Sequence, residues 1–191
     1  MRKNLMMIRS ILLISALMGV VICRVEGQKV YTKNGKVTFY SKAPLENIEA
    51  VNKSATAILS TKTGAIQVSV SIKGFEFEKA LMQEHFNENY LESDKYPRAV
   101  FSGNVQQNEK INYSNDGMYM VTVKGSLMIH NVSRDIETQG KIIIVKSIPR
   151  LIAEFNVSLE VYNITIPALV ANKISKTVKI AVDCNLDNAL K

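Results

Sequence analysis

The sequence contains few of the residues from which catalytic and metal sites are built. It has two cysteines, two histidines and no tryptophan among 191 residues. Neither His85 nor His130 belongs to a His-X-X-X-His spacing, and no Cys-X-X-Cys pair is present, so the sequence predicts no metal site. A Gly-X-Ser-X-Gly elbow and a P-loop are also absent. These absences argue against a metalloenzyme, a serine hydrolase and a nucleotide-dependent enzyme, and we predict no enzymatic activity.

A strong excess of one charge is also lacking. The full chain has a net charge of +7, and its first 27 residues contribute four cations and one anion, so the remainder carries about +4. The basic residues are spread along the chain rather than clustered, which argues against a nucleic-acid-binding surface. A loose attraction to an anionic membrane surface stays compatible with this charge.

Residues 1–27 have the layout of a secretory signal peptide. A basic lead is followed by the uncharged and mostly apolar run Ile11–Cys23, and small residues precede a cleavage site after Gly27. We therefore predict an exported protein, periplasmic or secreted. A lipoprotein anchored through Cys23 is less favoured, because a bulky residue stands where a lipobox has a small one. A retained membrane anchor is disfavoured because the run is short for a span of about 20 apolar residues, and we expect no stable membrane insertion after cleavage.

Loss of this leader leaves residues 28–191, which suit a single domain with a sizeable core. Cys184 is then the only cysteine, so no intramolecular disulfide can form although an exported protein would permit one. Cys184 falls on the apolar face of a predicted strand, which predicts a buried and unreactive core thiol. A monomer and a homodimer both stay open.

Alternation of apolar and polar residues with a period of two is the dominant pattern after the leader. Arg150–Tyr162, Ile174–Leu186 and Ala65–Ile72 show it most clearly, so each is predicted to be a strand with one buried and one wet face. The further predicted strands are Val30–Thr32, Lys36–Ser41, Ala55–Thr61, Ala99–Gln106, Met118–Ile129 and Ile136–Lys146. About eight strands joined mostly by short turns indicate a sandwich or a barrel.

Glycines and one helical segment interrupt this alternation. Asn34-Gly35 predicts a tight hairpin turn, and Gly125 inside a strand predicts a bulge or a sharp bend. In Glu78–Leu91 apolar residues recur at intervals of four, which predicts an amphipathic helix. The apolar stripe of this helix either plugs one end of a barrel or lines the mouth of a cavity, and the sequence alone favours the plug.

Two parts of the chain carry a family resemblance. The first is Gly74–Phe77 with residues 81–101, LMQEHFNENYLESDKYPRAVF, and the second is residues 125–137, GSLMIHNVSRDIE. Together they resemble the YceI-like family of polyisoprenoid-binding periplasmic proteins. That family has an aromatic segment, a helix and an Asp–Tyr–Pro-like turn before a Phe-containing strand, and later a Gly-X-Leu-Thr-Ile-X-Gly-Val-Thr-Arg-like hairpin. Asn131 replaces the second glycine of this hairpin, and asparagine tolerates the left-handed conformation that glycine would supply.

The resemblance implies an all-β fold: an extended, lipocalin-like, eight-stranded antiparallel β-barrel with one short amphipathic α-helix near the barrel mouth. It also implies an isoprenoid chain, of a quinone or a polyprenyl lipid, held along the barrel axis, with no cofactor required. An eight-stranded barrel can hold one small ligand. Each buried methylene is worth about 0.8 kcal/mol, so a long tail can bind between apolar walls without polar partners.

The predicted binding residues are inward-facing apolar side chains near the helix. They are Phe39, Phe75, Phe77, Leu81, Met82, Phe86, Phe101, Tyr119, Val121, Ile129, Phe155 and Val157. For a polar head group at the mouth, side-chain chemistry favours His85, Tyr90 and Arg134. The predicted function is carriage, storage or sequestration of a lipid-like chain in the cell envelope. Two alternatives stay open: a structural or stress-response module with a side-chain-packed barrel, and an enzyme acting on a lipid-like substrate, which would need a polar cluster inside the barrel.

Overall fold

The computed structural model describes residues 29–190, so the predicted leader, Cys23 and its cleavage site lie outside the described residues and stay predictions. A helical segment consists of helix α1 (Ala80–His85) and a turn of π-helix (Phe86–Tyr90). No helix within residues 29–190 is long and apolar enough to cross a membrane. The strands of this part of the chain are β1 (Lys29–Lys42), β2 (Asn47–Ser60), β3 (Ala65–Ser71), β4 (Glu76–Phe77), β5 (Arg98–Val105), β6 (Gly117–Ile129), β7 (Val132–Val145), β8 (Ile148–Ser158), β9 (Thr177–Asn185) and β10 (Asn188–Leu190).

Eight of these strands close into an antiparallel barrel, which confirms the predicted fold class. The order around the barrel is β1-β2-β3-β5-β6-β7-β8-β9, and β9 pairs with β1. β4 and β10 are short additions that pair with β2 and β1, respectively. Successive antiparallel strands place their connections at alternate ends. The β1–β2 turn, the helical segment, the β6–β7 turn and the β8–β9 loop therefore share one end, the mouth end; the β2–β3, β5–β6 and β7–β8 connections share the other, the closed end.

The period-two pattern decides which side chains point into the barrel. On β8, Leu151 and Val157 are buried, whereas Glu154 and Asn156 are exposed.

At the closed end, the Tyr113 hydroxyl donates to Asn108 Oδ1 (2.8 Å), and burial raises the pKa of Tyr113 to about 12. The β5–β6 loop therefore packs a polar pair, a buried Asn108 and a partly buried Tyr113, against the core at this end of the barrel.

The hairpin predicted at Asn34-Gly35 is wrong. β1 continues through this dipeptide, and its pairing with β2 shifts register on both sides of Gly35, so the dipeptide forms an irregularity within one long strand. A Cβ atom at position 35 would lie 2.6 Å from Cys184 Sγ. Glycine is required here for close packing, and Cys184 is fully buried as predicted. Burial, with a smaller effect of Asp183, raises the pKa of the Cys184 thiol to about 12.

Of the bulge and the sharp bend that the sequence offered as alternatives at Gly125, the bulge is wrong. Gly125 pairs with Gly103 of β5 without any register shift. A Cβ atom on Gly103 would collide with the Lys124 carbonyl oxygen, and one on Gly125 with the Ser102 carbonyl oxygen, so the glycines permit close approach of β5 and β6. Either Cβ atom would also lie 2.7 or 2.8 Å from the tip of the Phe101 ring. The two glycines therefore make room for an aromatic ring on the barrel wall, which is a packing role rather than a change of backbone register.

The barrel wall is less regular between β7 and β8. The two strands pair from Val145 opposite Ile148 to Gly140 opposite Ala153. The pairing stops there, although both strands continue toward the mouth end. Tyr162 and Ile164 of the β8–β9 loop are buried in a hydrophobic cluster with side chains of both strands, Ile136 and Phe155. The loop thus supplies hydrophobic packing where the strand ladder ends.

Candidate functional site

An apolar cavity of about 500 Å³ lies inside the barrel. This volume falls within the roughly 300–1,000 Å³ that is typical of small-molecule sites. Deep in the barrel its wall is formed by aliphatic side chains such as Val37, Ile66, Val123, Ile142 and Leu151. These residues come from β1, β3, β6, β7 and β8, so the cavity is a property of the closed barrel and of no single hairpin.

Most of the residues predicted from the sequence lie on the wall of this cavity. Tyr119 does not: it lies toward the closed end, where its hydroxyl accepts a hydrogen bond from the Asn112 N–H (3.3 Å). Arg134 is exposed on β7, away from the cavity wall, and donates to the Ser133 carbonyl oxygen (3.0 Å). The predicted residues that line the cavity are Phe39, Phe75, Phe77, Leu81, Met82, His85, Phe86, Tyr90, Phe101, Val121, Ile129, Phe155 and Val157.

Four phenylalanines form an aromatic cluster on the mouth side of the cavity. Phe86 of the helical segment stacks on Phe39 of β1, with ring centroids 5.4 Å apart. Phe75 and Phe77, from the segment before the helix, contact both rings at centroid distances of 5.0–5.7 Å. Each such pair is worth roughly 0.5–1.5 kcal/mol beyond the area that it buries. The cluster therefore anchors the short helical segment on the barrel.

The helical segment lines the cavity mouth rather than filling the barrel. Leu81 and Met82 border the cavity, yet the Leu81 residue is 60% exposed, which places it at the rim. The helix widens into a π-helical turn after His85, where the Leu91 N–H donates to the Phe86 carbonyl oxygen (2.9 Å). Such turns are frequent at functional sites, and this one begins at Phe86, the residue that joins the helix to the aromatic cluster.

Most polar side chains that border the cavity lie near its mouth, and Thr138 and Lys141 of β7 are the exceptions. Lys79 Nζ donates to Glu46 Oε1 (2.8 Å), and this hydrogen bond raises the pKa of Lys79. Tyr90 borders the cavity, and burial raises the pKa of its hydroxyl. Within residues 29–190 no group of three His, Cys, Asp or Glu residues is placed to hold a metal ion. The arrangement is suited to an apolar chain inside the barrel with polar contacts at the entrance.

Comparison with known proteins agrees with this architecture. A model of the YceI-like domain matches residues 28–186. The chain belongs to the YceI-like family. A polyisoprenoid-binding domain from Saccharophagus degradans, implicated in plant cell wall breakdown, is similar in structure: 16% identity, TM-score 0.71, with 83% of this chain and 97% of that chain covered. BcnA from Burkholderia cenocepacia is similar at 14% identity and a TM-score of 0.64, covering 79% of this chain and 95% of that one. No curated protein matches the chain.

The β8–β9 loop of this YceI-like domain contributes cavity residues that the sequence reasoning missed. Ile164, Ile166, Val170 and Ile174 of this loop border the cavity. The loop is long, from the end of β8 to Thr177, and long ordered loops in compact domains are often functional. Apolar residues inside such a loop were the signal that could have revealed them.

The two family motifs meet at the mouth end. His130 Nε2 lies 2.8 Å from Glu92 Oε2, and the His130 ring packs edge-on against Tyr96 at 4.5 Å. His130 and Asn131 have positive φ angles of 50° and 59°, which is the backbone of a tight two-residue hairpin turn. The expected left-handed conformation of Asn131 is thus confirmed. These contacts fasten the β6–β7 turn to the segment that follows the helix, so the motifs hold the mouth end together.

Proposed function

We propose that this YceI-like protein is an exported, non-enzymatic binding protein that holds an isoprenoid or similar lipid chain inside its barrel. The ligand would be a quinone or a polyprenyl compound, and the role would be carriage, storage or sequestration in the cell envelope. The apolar cavity of about 500 Å³ carries this proposal. The S. degradans domain with the same fold, described as polyisoprenoid-binding, gives further support.

The cavity volume limits how much chain the barrel can hold. A cavity of about 150 Å³ lined by aliphatic and aromatic side chains binds benzene, which is roughly 25 Å³ for each carbon atom. By the same ratio, 500 Å³ accommodates roughly 20 carbon atoms, or four isoprene units. A longer chain would extend through the mouth and carry its head group outside the barrel.

The walls favour a chain over a polar substrate. Three of the four Lys and Glu residues that border the cavity lie at the mouth end: Glu46 in the β1–β2 turn, Lys79 just before α1 and Lys173 in the β8–β9 loop. The fourth, Lys141, is an exposed residue of β7. The side-chain-packed barrel is the weaker alternative, because inward-facing residues such as Gly140 and Ala153 leave space between the strands.

A single introduced tryptophan can test this function, because the chain has none of its own. We expect the fluorescence of Phe155→Trp, inside the cavity, to be quenched saturably by an isoprenoid quinone. Met120→Trp is the matched control, because Met120 is 66% exposed on the outer face of β6. Protein purified from its own cells should also release an isoprenoid on extraction with organic solvent. Equal quenching of both variants, together with an extract free of isoprenoid by mass spectrometry, would refute the proposal.

A further inference from the structure

Three segments around the cavity mouth each expose a leucine. Leu45 of the β1–β2 turn is 70% exposed, Leu81 of α1 is 60% exposed and Leu169 of the β8–β9 loop is 97% exposed. Single exposed leucines are ordinary on protein surfaces. Here three of them lie on separate segments that border one cavity, and exposed apolar residues that gather on one surface can mark an interaction site.

Hydrogen bonds and an ion pair join these three segments into one rim. The Leu45 N–H donates to the Asn172 carbonyl oxygen (3.0 Å), which links the β1–β2 turn to the β8–β9 loop. The Ser175 N–H donates to Ser41 Oγ (2.8 Å), which links the β8–β9 loop to the end of β1 just before this turn. Lys79, the residue directly before α1, forms an ion pair with Glu46 (2.8 Å), which links the start of the helical segment to the same turn. The leucines are therefore presented on a common, fixed rim, which we call the leucine rim (Leu45, Leu81 and Leu169).

Lysines accompany the leucine rim on its two loops. Lys42 flanks the β1–β2 turn, and Lys173 and Lys176 lie in the β8–β9 loop. All three are exposed, and none has a side-chain ion pair or hydrogen bond within residues 29–190. Glu46 of the same turn is neutralised by Lys79. The part of the mouth around the leucines therefore combines projecting apolar tips with unpaired positive charge. The exposed acidic residues lie elsewhere on these segments: Glu160 at the start of the β8–β9 loop, and Glu78, Glu84 and Glu88 beside or on the helical segment.

We propose that the leucine rim is a membrane-docking surface, by which the barrel mouth rests on an anionic lipid bilayer. The leucines enter the boundary between head groups and acyl chains, and Lys42, Lys173 and Lys176 contact lipid phosphates. This inference rests on the proposed function: a chain of four isoprene units is insoluble in water, so it has to pass between a bilayer and the cavity. Contact is peripheral, because only side chains at the tips of three segments enter the lipid.

Vesicle binding tests the leucines and lysines separately. Wild-type protein should sediment with vesicles of phosphatidylcholine and phosphatidylglycerol, and less so at high salt. The double variant Leu45→Ser/Leu169→Ser should bind roughly tenfold more weakly, or worse, for each leucine. The triple variant Lys42→Gln/Lys173→Gln/Lys176→Gln should lose roughly fivefold for each lysine on anionic vesicles and little on vesicles of phosphatidylcholine alone.

The matched control is the double variant Met118→Ser/Met120→Ser. Both methionines are about as exposed as the rim leucines, at 63% and 66%, but they lie on the outer face of β6 toward the closed end. This control should bind vesicles as the wild type does. Equal losses in the methionine and leucine variants, or no loss in the leucine variant, would overturn the docking proposal. A wild-type dimer that the leucine variant converts to a monomer would also overturn it, because a second copy would then cover the rim.

Docking and ligand binding can fail independently. Leu45 and Leu169 do not border the cavity, so the leucine variant should keep the saturable quenching of Phe155→Trp by a short-chain quinone in solution. Loss of vesicle binding with retained quenching supports docking as a separate function of the rim. Vesicle binding by the wild type, together with no quenching of Phe155→Trp by the quinone, would instead refute the proposed cargo and leave the docking surface standing.

Discussion

Ala153 offers a direct way to shorten the cavity. It lies on β8, borders the cavity and pairs with Gly140 of β7, which has no side chain to obstruct a larger neighbour. We predict that Ala153→Phe fills part of the cavity with an apolar ring and leaves the fold intact. Since the ring enters existing space instead of a packed core, the overpacking cost of roughly 1–3 kcal/mol should be avoided.

The size of the effect follows from the number of carbon atoms displaced. The substitution adds six carbons, so the capacity should fall from roughly 20 carbons to roughly 14. Each carbon contributes roughly 0.3–0.8 kcal/mol to binding. A ligand of 20 carbons should therefore lose roughly 2–5 kcal/mol, which is roughly a 30-fold to several-thousand-fold rise in Kd.

The assay is a titration of a chain-length series with 10, 15, 20 and 25 carbons. Affinity for the wild type should rise with each isoprene unit up to 20 carbons and then level off. In Ala153→Phe the plateau should begin at 15 carbons. Ala65→Phe makes the same chemical change at an exposed position of β3 and should leave the series unchanged.

Two results would refute this reasoning. An unchanged plateau in Ala153→Phe would mean that the chain does not pass Ala153. Affinity that keeps rising in the wild type well beyond 20 carbons would mean that the cavity does not limit the bound length. Thermal unfolding of each variant checks that the fold is retained, and the melting temperature of Ala153→Phe should equal or exceed that of the wild type.

Three further predictions concern the frame of the site. Burial raises the pKa of Cys184 from 9.0 to about 12; above pH 9 only the unfolded state loses this proton, so the free energy of unfolding should fall by about 1 kcal/mol between pH 9 and 10. Cys184→Ala should lack this increment in urea titrations. Gly35→Ala should destabilise the barrel by about 1–3 kcal/mol, because its Cβ would lie 2.6 Å from Cys184 Sγ and 2.9 Å from the Ala55 carbonyl oxygen. Adding Cys184→Ala should restore part of that loss. Phe86→Ala should cost about 3–5 kcal/mol and weaken ligand binding, since Phe86 contacts three other rings.

Each of these has a result that contradicts it. An identical alkaline dependence in the wild type and Cys184→Ala would show that the thiol is not the group responsible. Additive effects of Gly35→Ala and Cys184→Ala in a double-mutant cycle would exclude the steric coupling. For Phe86→Ala, a loss of unfolding free energy below about 1 kcal/mol would show that the aromatic cluster does not hold the helical segment.

The sequence pattern predicted burial correctly where the two faces of a strand have different surroundings. The alternation in β8 and β9 predicted the buried face that carries Phe155, Val157 and Cys184, because a strand in a closed barrel has one inside and one outside. The same period of two predicted that Phe75 and Phe77 lie on the same face. The prediction failed at Asn34-Gly35, because a dipeptide that often closes hairpins can also form an irregularity within a long strand. Here glycine is needed because Cys184, far away in the sequence, occupies the space of a Cβ atom at position 35.

The sequence by itself therefore determined the all-β class, the inward-facing residues and the helical segment. Only the tertiary structure decided that the inward side chains leave a cavity, because that depends on how residues of facing strands, such as Gly140 and Ala153, divide the interior between them. It also decided that Tyr119 and Arg134 lie off the wall while the β8–β9 loop lies on it. The sequence also could not predict that three exposed leucines lie at the same end of the barrel, because positions 45, 81 and 169 come to that end only when the strands pair.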